Sequence, residues 1–190
     1  MDASIFALME KLKAHFSVWF AKVITILAGK TGFVPLVKLM RRLTGTQVTV
    51  EQMTAVRNAV KENDGCNLLI FGVGNDSHFW MNSNARGRTV FIEDDDFWLR
   101  KIKKRVHGIE AYLVDYDSRI EQWKEIIDKP EKLQMDFPEQ VANTMWDVIL
   151  VDAPTGWGEG TKGRMKSIYA GRKMVSDTGH VFVHDCEREV

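Results

Sequence analysis

Five short apolar runs in this chain each end where chemistry can be done. Asn67–Phe71 ends at Gly72, Thr89–Ile92 at Glu93, and Ala111–Val114 at Asp115. Trp146–Val151 ends at Asp152, and His180–Val183 ends at His184 and Asp185. Short apolar runs bounded by turn residues read as strands buried on both faces. In an open parallel sheet, ligands lie beyond the carboxyl ends of such strands. Four of the five runs finish in an acid or one position before one. One acid would be an ordinary helix cap. Several acids on one sheet edge repel each other, and a ligand, cation or metal is needed to offset that repulsion.

The first run leads into Gly72-Val73-Gly74, where two glycines permit positive φ and let a ligand approach the backbone closely. Asn75, Asp76 and Ser77 can then cap a helix through Phe79, Trp80 and Met81. Glu93 follows the glycines by roughly the 20 residues at which an acid reaches ribose hydroxyls in nucleotide-binding folds. A lone G-x-G also fits any tight strand-to-helix turn; Glu93 at this spacing tips the reading toward a nucleoside site. The third glycine of the dinucleotide fingerprint is replaced by Ser77, and no basic residue lies in the turn. The pattern therefore favours a nucleoside without phosphates, such as S-adenosylmethionine.

The elements needed to position these residues can be read along the chain. Residues 4–28 are strongly apolar, but Glu10, Lys11, Lys13 and Lys22 interrupt them, leaving the longest clean run too short for a membrane span. Leu8, Leu12, Trp19, Val23 and Ile26 recur at near-helical spacing, so the segment reads as an amphipathic helix. It can dock on the domain, on a partner helix, or peripherally on a membrane. Gly29 to Gly32 should break it, with a second short helix over Phe33 to Leu43. Residues 1–45 thus form an N-terminal helical segment, and the main domain spans 46–190. Thr49 and Gln52 make a capping box for a helix over Val50 to Lys61. Further helices are expected from Phe97 to Val106 capped by Asp96, over Ser118 to Asp128, and from Arg164 to Val175. Strands alternating with helices give an α/β, doubly wound parallel sheet.

Composition narrows the partners. The 190 residues suit one domain with a sizeable core, and Lys+Arg and Asp+Glu each number 26. That balance argues against nucleic acid as a main partner. The basic run from Arg100 to Arg105 follows Asp94 to Asp96 and reads as a solvated helix face. Cys66 and Cys186 fall at opposite edges of the sheet and read as free thiols, and no metal-ligand spacing is present.

The motifs CNLLIFGVGNDSHFW, RTVFIEDDDFW, WDVILVDAPTG, GRMKSIYAG and VFVHD, in this order, resemble the plant glucuronoxylan 4-O-methyltransferase family over roughly residues 46–190. The resemblance implies a Rossmann-like, class I S-adenosylmethionine-dependent methyltransferase fold. It further implies methylation of the 4-hydroxyl of glucuronic acid in a polysaccharide such as glucuronoxylan. By resemblance, Phe71, Gly72 and Gly74 cradle the methionine part of the cofactor and Glu93 binds the ribose. Asp115, Tyr116 and Asp117 line the adenine pocket. Asp152 is the expected base for the acceptor hydroxyl, with His184 or Asp185 as alternatives. Arg164, and secondarily Lys162, is expected to clamp the uronate carboxylate. A divalent metal between Asp152 and Asp185 is the alternative, but the spacing there shows no distinctive ligand pattern. Family members usually carry histidine where this chain has Asn75. Plant members have a clean N-terminal anchor and sit in the Golgi; the first 45 residues here do not match it, and a microbial protein would be cytoplasmic. A class I sheet ordinarily ends in two further strands, so these are expected to be missing, or their surface to be replaced by the N-terminal helices.

Two other classes remain open from sequence alone. One is a nucleotide-dependent oxidoreductase using the same turn. The other is a non-catalytic, methyltransferase-like module that binds partners through residues 1–45.

Overall fold

The structure, a computed structural model, describes residues 3–186, with side chains from Glu10 onward. Strands β1 (Asn67–Phe71), β2 (Arg88–Glu93), β3 (Glu110–Leu113), β4 (Trp146–Val151) and β5 (Val175–Val183) form one sheet. All its pairings are parallel, in the order β3-β2-β1-β4-β5. This is a Rossmann-like α/β sheet, consistent with the class I methyltransferase type, and its strand order reverses between β1 and β4. Among the described residues no sixth or seventh strand is present.

Side-chain alternation divides the core in two. Leu68 and Ile70 of β1 point to one face, with Val148 and Leu150 of β4. Helices α1 (Ala3–Thr31), α2 (Val34–Thr44), α3 (Val50–Glu62), α4 (Ser77–Ser83) and α5 (Asp96–Arg105) cover that face. Leu69 and Phe71 point to the other face with Ile149 and Val151. There they meet the single-turn α7 (Glu139–Ala142) and α8 (Met165–Met174). The short α6 (Trp123–Ile126) belongs to a satellite cluster of Ile126, Leu133 and Met165.

Strands β1 and β4 fall on the expected residues, because continuous apolar runs leave no other register. The Thr49–Gln52 capping box forms with both reciprocal bonds, a device that stabilises a helix start by about 1 kcal/mol. Other boundaries move. Asp95 rather than Asp96 caps α5, accepting from the Trp98 N–H at 2.9 Å. The helix expected over Ser118 to Asp128 is a 3₁₀ turn, Ile120–Gln122, followed by α6. Strand β5 starts at Val175: Trp146 pairs with Val175 and Val148 with His180, so a bulge absorbs the intervening Asp177-Thr178-Gly179 turn.

The N-terminal region departs furthest from expectation. Helix α1 runs through Gly29 and ends at Thr31, with Gly32 beyond it at φ 65°. Leu12 and Trp19 of the expected inward stripe are exposed, and Leu8 lies outside the described side chains. Ile24, Thr25 and Ala28 are buried instead. Close approach to α4 sets this face: a Cβ on Gly29 would stand 2.4 Å from the Phe79 carbonyl oxygen. The contact selects small residues rather than the bulkiest stripe. The unbroken helix also changes the membrane reading, since Glu10–Thr31 is long and apolar enough to cross a membrane by length and composition.

Candidate functional site

Strand register places the expected residues along one edge. Phe71 is level with Ile92 and Val151, and Val151 with Val183. The residues that follow continue the ladder: Gly72 N–H donates to Ile92 O at 2.6 Å, Asp152 N–H to Phe71 O at 3.0 Å, and His184 N–H to Val151 O at 3.0 Å. Glu93, Gly72, Asp152 and His184 are therefore neighbours in that order across the strand ends. A cavity of about 680 Å³ opens over them.

The turn after β1 needs glycine. Gly72 has φ 112°, and a Cβ there would stand 3.1 Å from the Ala153 Cβ across the sheet. Trp98 Nε1 donates to the Val73 carbonyl at 2.6 Å, which ties α5 to the turn. Glu93 ties β2 to it from the other side. One of its oxygens accepts from Val73 N–H at 3.0 Å, and the other from Asp94 N–H at 2.9 Å and Asp95 N–H at 3.0 Å. Burial raises the Glu93 pKa although these three bonds oppose the shift. Desolvation outweighs the hydrogen bonds here.

Across the cavity, His184 Nδ1 lies 2.7 Å from Asp152 Oδ1, and its Nε2 lies 3.3 Å from Asp185 Oδ1. The bond to Asp152 raises the His184 pKa, with burial opposing and Asp185 assisting. Arg164 stands 3.8 Å from Asp152 Oδ1 and 3.7 Å from Asp185 Oδ2. It also donates to the carbonyls of Pro154 at 3.2 Å, Asp152 at 2.7 Å, and His184. This bears on the expected uronate clamp: the Arg164 fork is turned inward, joining the segments that follow β4 and β5. Lys162 is likewise engaged, 3.0 Å from Asp94 and over the Tyr116 ring.

Gly72, Gly74, Glu93, Asp152, Asp185 and Arg164 line the cavity. His184 sits behind Asp152, 6% exposed. The remaining expected residues lie off the wall. Phe71 is wholly buried in the second core cluster. Asp115 is exposed, and Asp117 pairs outward with the buried Lys166 at 2.5 Å. Tyr116 is buried, its hydroxyl 2.7 Å from Ser167 Oγ. The end of β3 therefore braces α8, and Asp115, Tyr116 and Asp117 do not line the cavity. Cys66 is buried and Cys186 exposed, both free.

Several wall residues were not singled out from sequence. Asp94, Asp95 and Trp98 extend the β2 end. Asp76, expected as a helix cap, makes no such bond and instead accepts from Trp80 Nε1 at 3.1 Å. The spacing of Asp76 and Trp80, one helical turn apart, was the available signal. Burial and the nearby Asp152 push the Asp76 carboxyl up to about 6. The segment Thr44–Gln47, joining α2 to α3, closes one side of the cavity, held by Asn75 Nδ2 donating to Thr44 O at 3.0 Å. Trp157 stands on the rim, 74% exposed. Six carboxylates (Asp76, Glu93, Asp94, Asp95, Asp152 and Asp185) thus face the cavity, with Arg164 the only Lys or Arg on its wall among the described residues. Such a wall favours a cationic ligand.

Comparison with known proteins places the chain in a family. The chain matches the IRX15/IRX15L/GXM family model over residues 51–135 and 131–190. It is 36% identical to glucuronoxylan 4-O-methyltransferase 1 of Arabidopsis thaliana over 166 residues, 76% of this chain and 58% of that protein. It is 30% identical to arabinogalactan O-methyltransferase 2 of the same plant, over 76% of this chain and 58% of that protein. Protein IRX15-LIKE, also from Arabidopsis thaliana, is 33% identical over 66% of this chain and 47% of its own length. The chain spans about half the length of the curated relatives it matches. No solved structure gives a significant match. The chain belongs to the IRX15/IRX15L/GXM family.

Proposed function

We propose that this protein is an S-adenosylmethionine-dependent O-methyltransferase acting on a sugar hydroxyl of a polysaccharide, the 4-hydroxyl of glucuronic acid in a glucuronoxylan-like chain. The observation that carries the reading is the acidic cavity with Asp152, backed by His184, on its wall beside the Gly72 turn. The names of the relatives supply the reaction class.

The residues suit this cofactor. The Gly72–Gly74 turn leaves room where a Cβ would crowd Ala153 or Asp76, and a wall of carboxylates favours a sulfonium and an ammonium. Glu93 has roughly four acceptor sites, of which three backbone N–H groups use three, so one remains for a ribose hydroxyl. Asp94 and Asp95 extend that end of the cavity. When bound, the cofactor supplies an electrophilic methyl group on sulfur. Asp152 would accept the proton that the acceptor hydroxyl loses when the hydroxyl oxygen takes the methyl group and the methyl–sulfur bond breaks, the sulfur leaving as a neutral thioether. His184, too buried to touch the acceptor, orients Asp152 through their 2.7 Å bond, which also raises the His184 pKa. Arg164 holds the β4 and β5 ends in register and is assigned no substrate contact.

The test is direct. Calorimetric titration should show S-adenosylmethionine binding, and a labelled methyl group should pass to glucuronoxylan but not to unsubstituted xylan. Binding without transfer to any uronic-acid glycan would favour a non-catalytic module, a reading kept alive by family members whose names state no activity. Binding of nicotinamide dinucleotides in its place would favour an oxidoreductase.

A further inference from the structure

A second hollow, about 260 Å³, lies on the helical side of the Gly72 turn. It shares Thr44, Gly74 and Asn75 with the acidic cavity, so the two adjoin across that thin wall. Its character is opposite. Lys22 of α1, His78 of α4 and Arg105 of α5 line it, and no carboxylate does. Among the described residues neither Lys22 nor Arg105 is within ion-pair distance of an acid, although surface cations elsewhere, such as Lys13 and Arg100, are paired. The Nε2 of His78 is buried without a hydrogen-bond partner among those residues. A buried, unpartnered polar atom costs about 1–3 kcal/mol, so native structures seldom leave one without a reason. Burial and then Lys22 lower the His78 pKa, while the Arg105 backbone, which comes close to the ring, opposes them and His107 adds to the lowering. Three helices thus bring cationic or proton-bearing groups to one concavity, and nothing in its lining neutralises them.

We propose that the Lys22–His78–Arg105 hollow binds a carboxylate. The inference deepens the function proposed above and rests on it for the choice of ligand. Two carboxylates are available to such a reaction: the uronate of the acceptor sugar and the amino-acid carboxylate of the cofactor. Either would leave the cationic part of the chemistry in the acidic cavity and place the anionic part next door. The assignment also answers a difficulty in the main site, where Arg164 and Lys162 are committed to protein partners. An ammonium and a guanidinium converging from separate helices can grip a carboxylate through charge-assisted bonds, with the His78 ring as third contact.

The experiment uses the whole chain and the double variant Lys22→Met with Arg105→Ala, both at positions outside the core. Sodium glucuronate is titrated into wild type without cofactor, following the His78 ring signals by NMR, with glucose as the neutral control. The His78 signals should move with glucuronate and not with glucose if the uronate is the occupant. The double variant should then weaken glucuronate binding roughly tenfold or more. If the cofactor carboxylate is the occupant, the double variant should instead weaken S-adenosylmethionine by a similar factor. It should leave the decarboxylated analogue unchanged. A variant that melts like wild type and binds all three ligands equally well overturns the proposal. Failure of the methyltransferase reading looks different: wild type would then bind no S-adenosylmethionine, whatever glucuronate does at His78.

Discussion

At the β1–β2 end of the cavity the key carboxylate, Glu93, is held by three backbone N–H groups from two turns. At the β4–β5 end Asp152 is held by another side chain, His184, itself beside Asp185, with Arg164 within 4 Å of both acids. Both ends bury charge, by different means. Backbone donors have fixed charge and fixed position, so the Glu93 end is built as architecture. Ionisable partners can exchange protons, which suits the Asp152 end to the chemistry proposed for it. Substitutions should therefore separate the two: one end should fail in stability and cofactor affinity, the other in turnover.

The largest effect is expected at Asp152. Replacing it with Asn removes the proposed base while keeping a group of the same shape beside His184. Turnover should fall by roughly 10²–10⁴-fold, the usual contribution of a positioned base. Melting temperature and S-adenosylmethionine affinity should change little. Radiolabel transfer at saturating cofactor is the measurement, and normal turnover would move the base to Asp185 or solvent.

Glu93→Ala should show the converse pattern. It strands three backbone donors, and each buried orphan costs about 1–3 kcal/mol unless water reaches it. In a chain of this size each kcal/mol lowers the melting temperature by roughly 2–4 °C, so calorimetry should register a clear drop. Cofactor affinity should weaken roughly tenfold or more as the ribose contact goes. Weakened affinity with an unchanged melting temperature would make Glu93 a ligand group only and erase the contrast between the two ends.

The contrast also tracks what could be read from sequence. Strands β1 and β4, the Gly72 turn and the Thr49–Gln52 box were legible because each depends on residues within a few positions of one another. Glu93 was legible through its distance from the glycines, although the three backbone bonds it makes were not. Arg164 was legible as a cation near the strand ends, but its fork closes on the carbonyls of Asp152, Pro154 and His184, up to 20 residues away. No local pattern encodes such a partner. Asp115 and Asp117 shared the strand-end position with Asp152, yet β3 is an edge strand and its end turns toward solvent and Lys166. In α1, apolar bulk pointed to Leu12 and Trp19, whereas the packed face was chosen by Gly29 and Ala28, which allow the approach to α4.

A smaller effect comes from Asp76, which lies between the two ends. Its pKa is pushed up to about 6, first by burial and then by Asp152. Below that pH it holds a proton, which a cationic ligand must displace. Cofactor affinity should therefore rise as pH increases from 5 to 7, by roughly up to tenfold per pH unit below the pKa. Asp76→Asn should flatten the profile. Calorimetry in buffers of different ionisation heat should show proton release on binding near pH 5.5 in wild type alone.

The smallest expected effect is on stability at the β4–β5 end. Since the His184 pKa is raised in the folded protein, chiefly by its bond to Asp152, folding favours the protonated ring. The sign follows from linkage: this contribution is fully present below the unfolded histidine pKa of about 6.5, and is lost as pH rises through the raised folded value. The Asp76 carboxyl has already titrated by then, and the buried Cys66 thiol, pushed up to about 12, acts only at higher pH. Wild type should thus lose stability from pH 6.5 upward more steeply than His184→Gln, which keeps a hydrogen-bonding side chain but no titrating proton. Denaturant midpoints at a series of pH values would show it. Parallel pH profiles for the two proteins would mean that the His184–Asp152 bond forms without a shared charge. The β4–β5 end would then be as fixed as the Glu93 end.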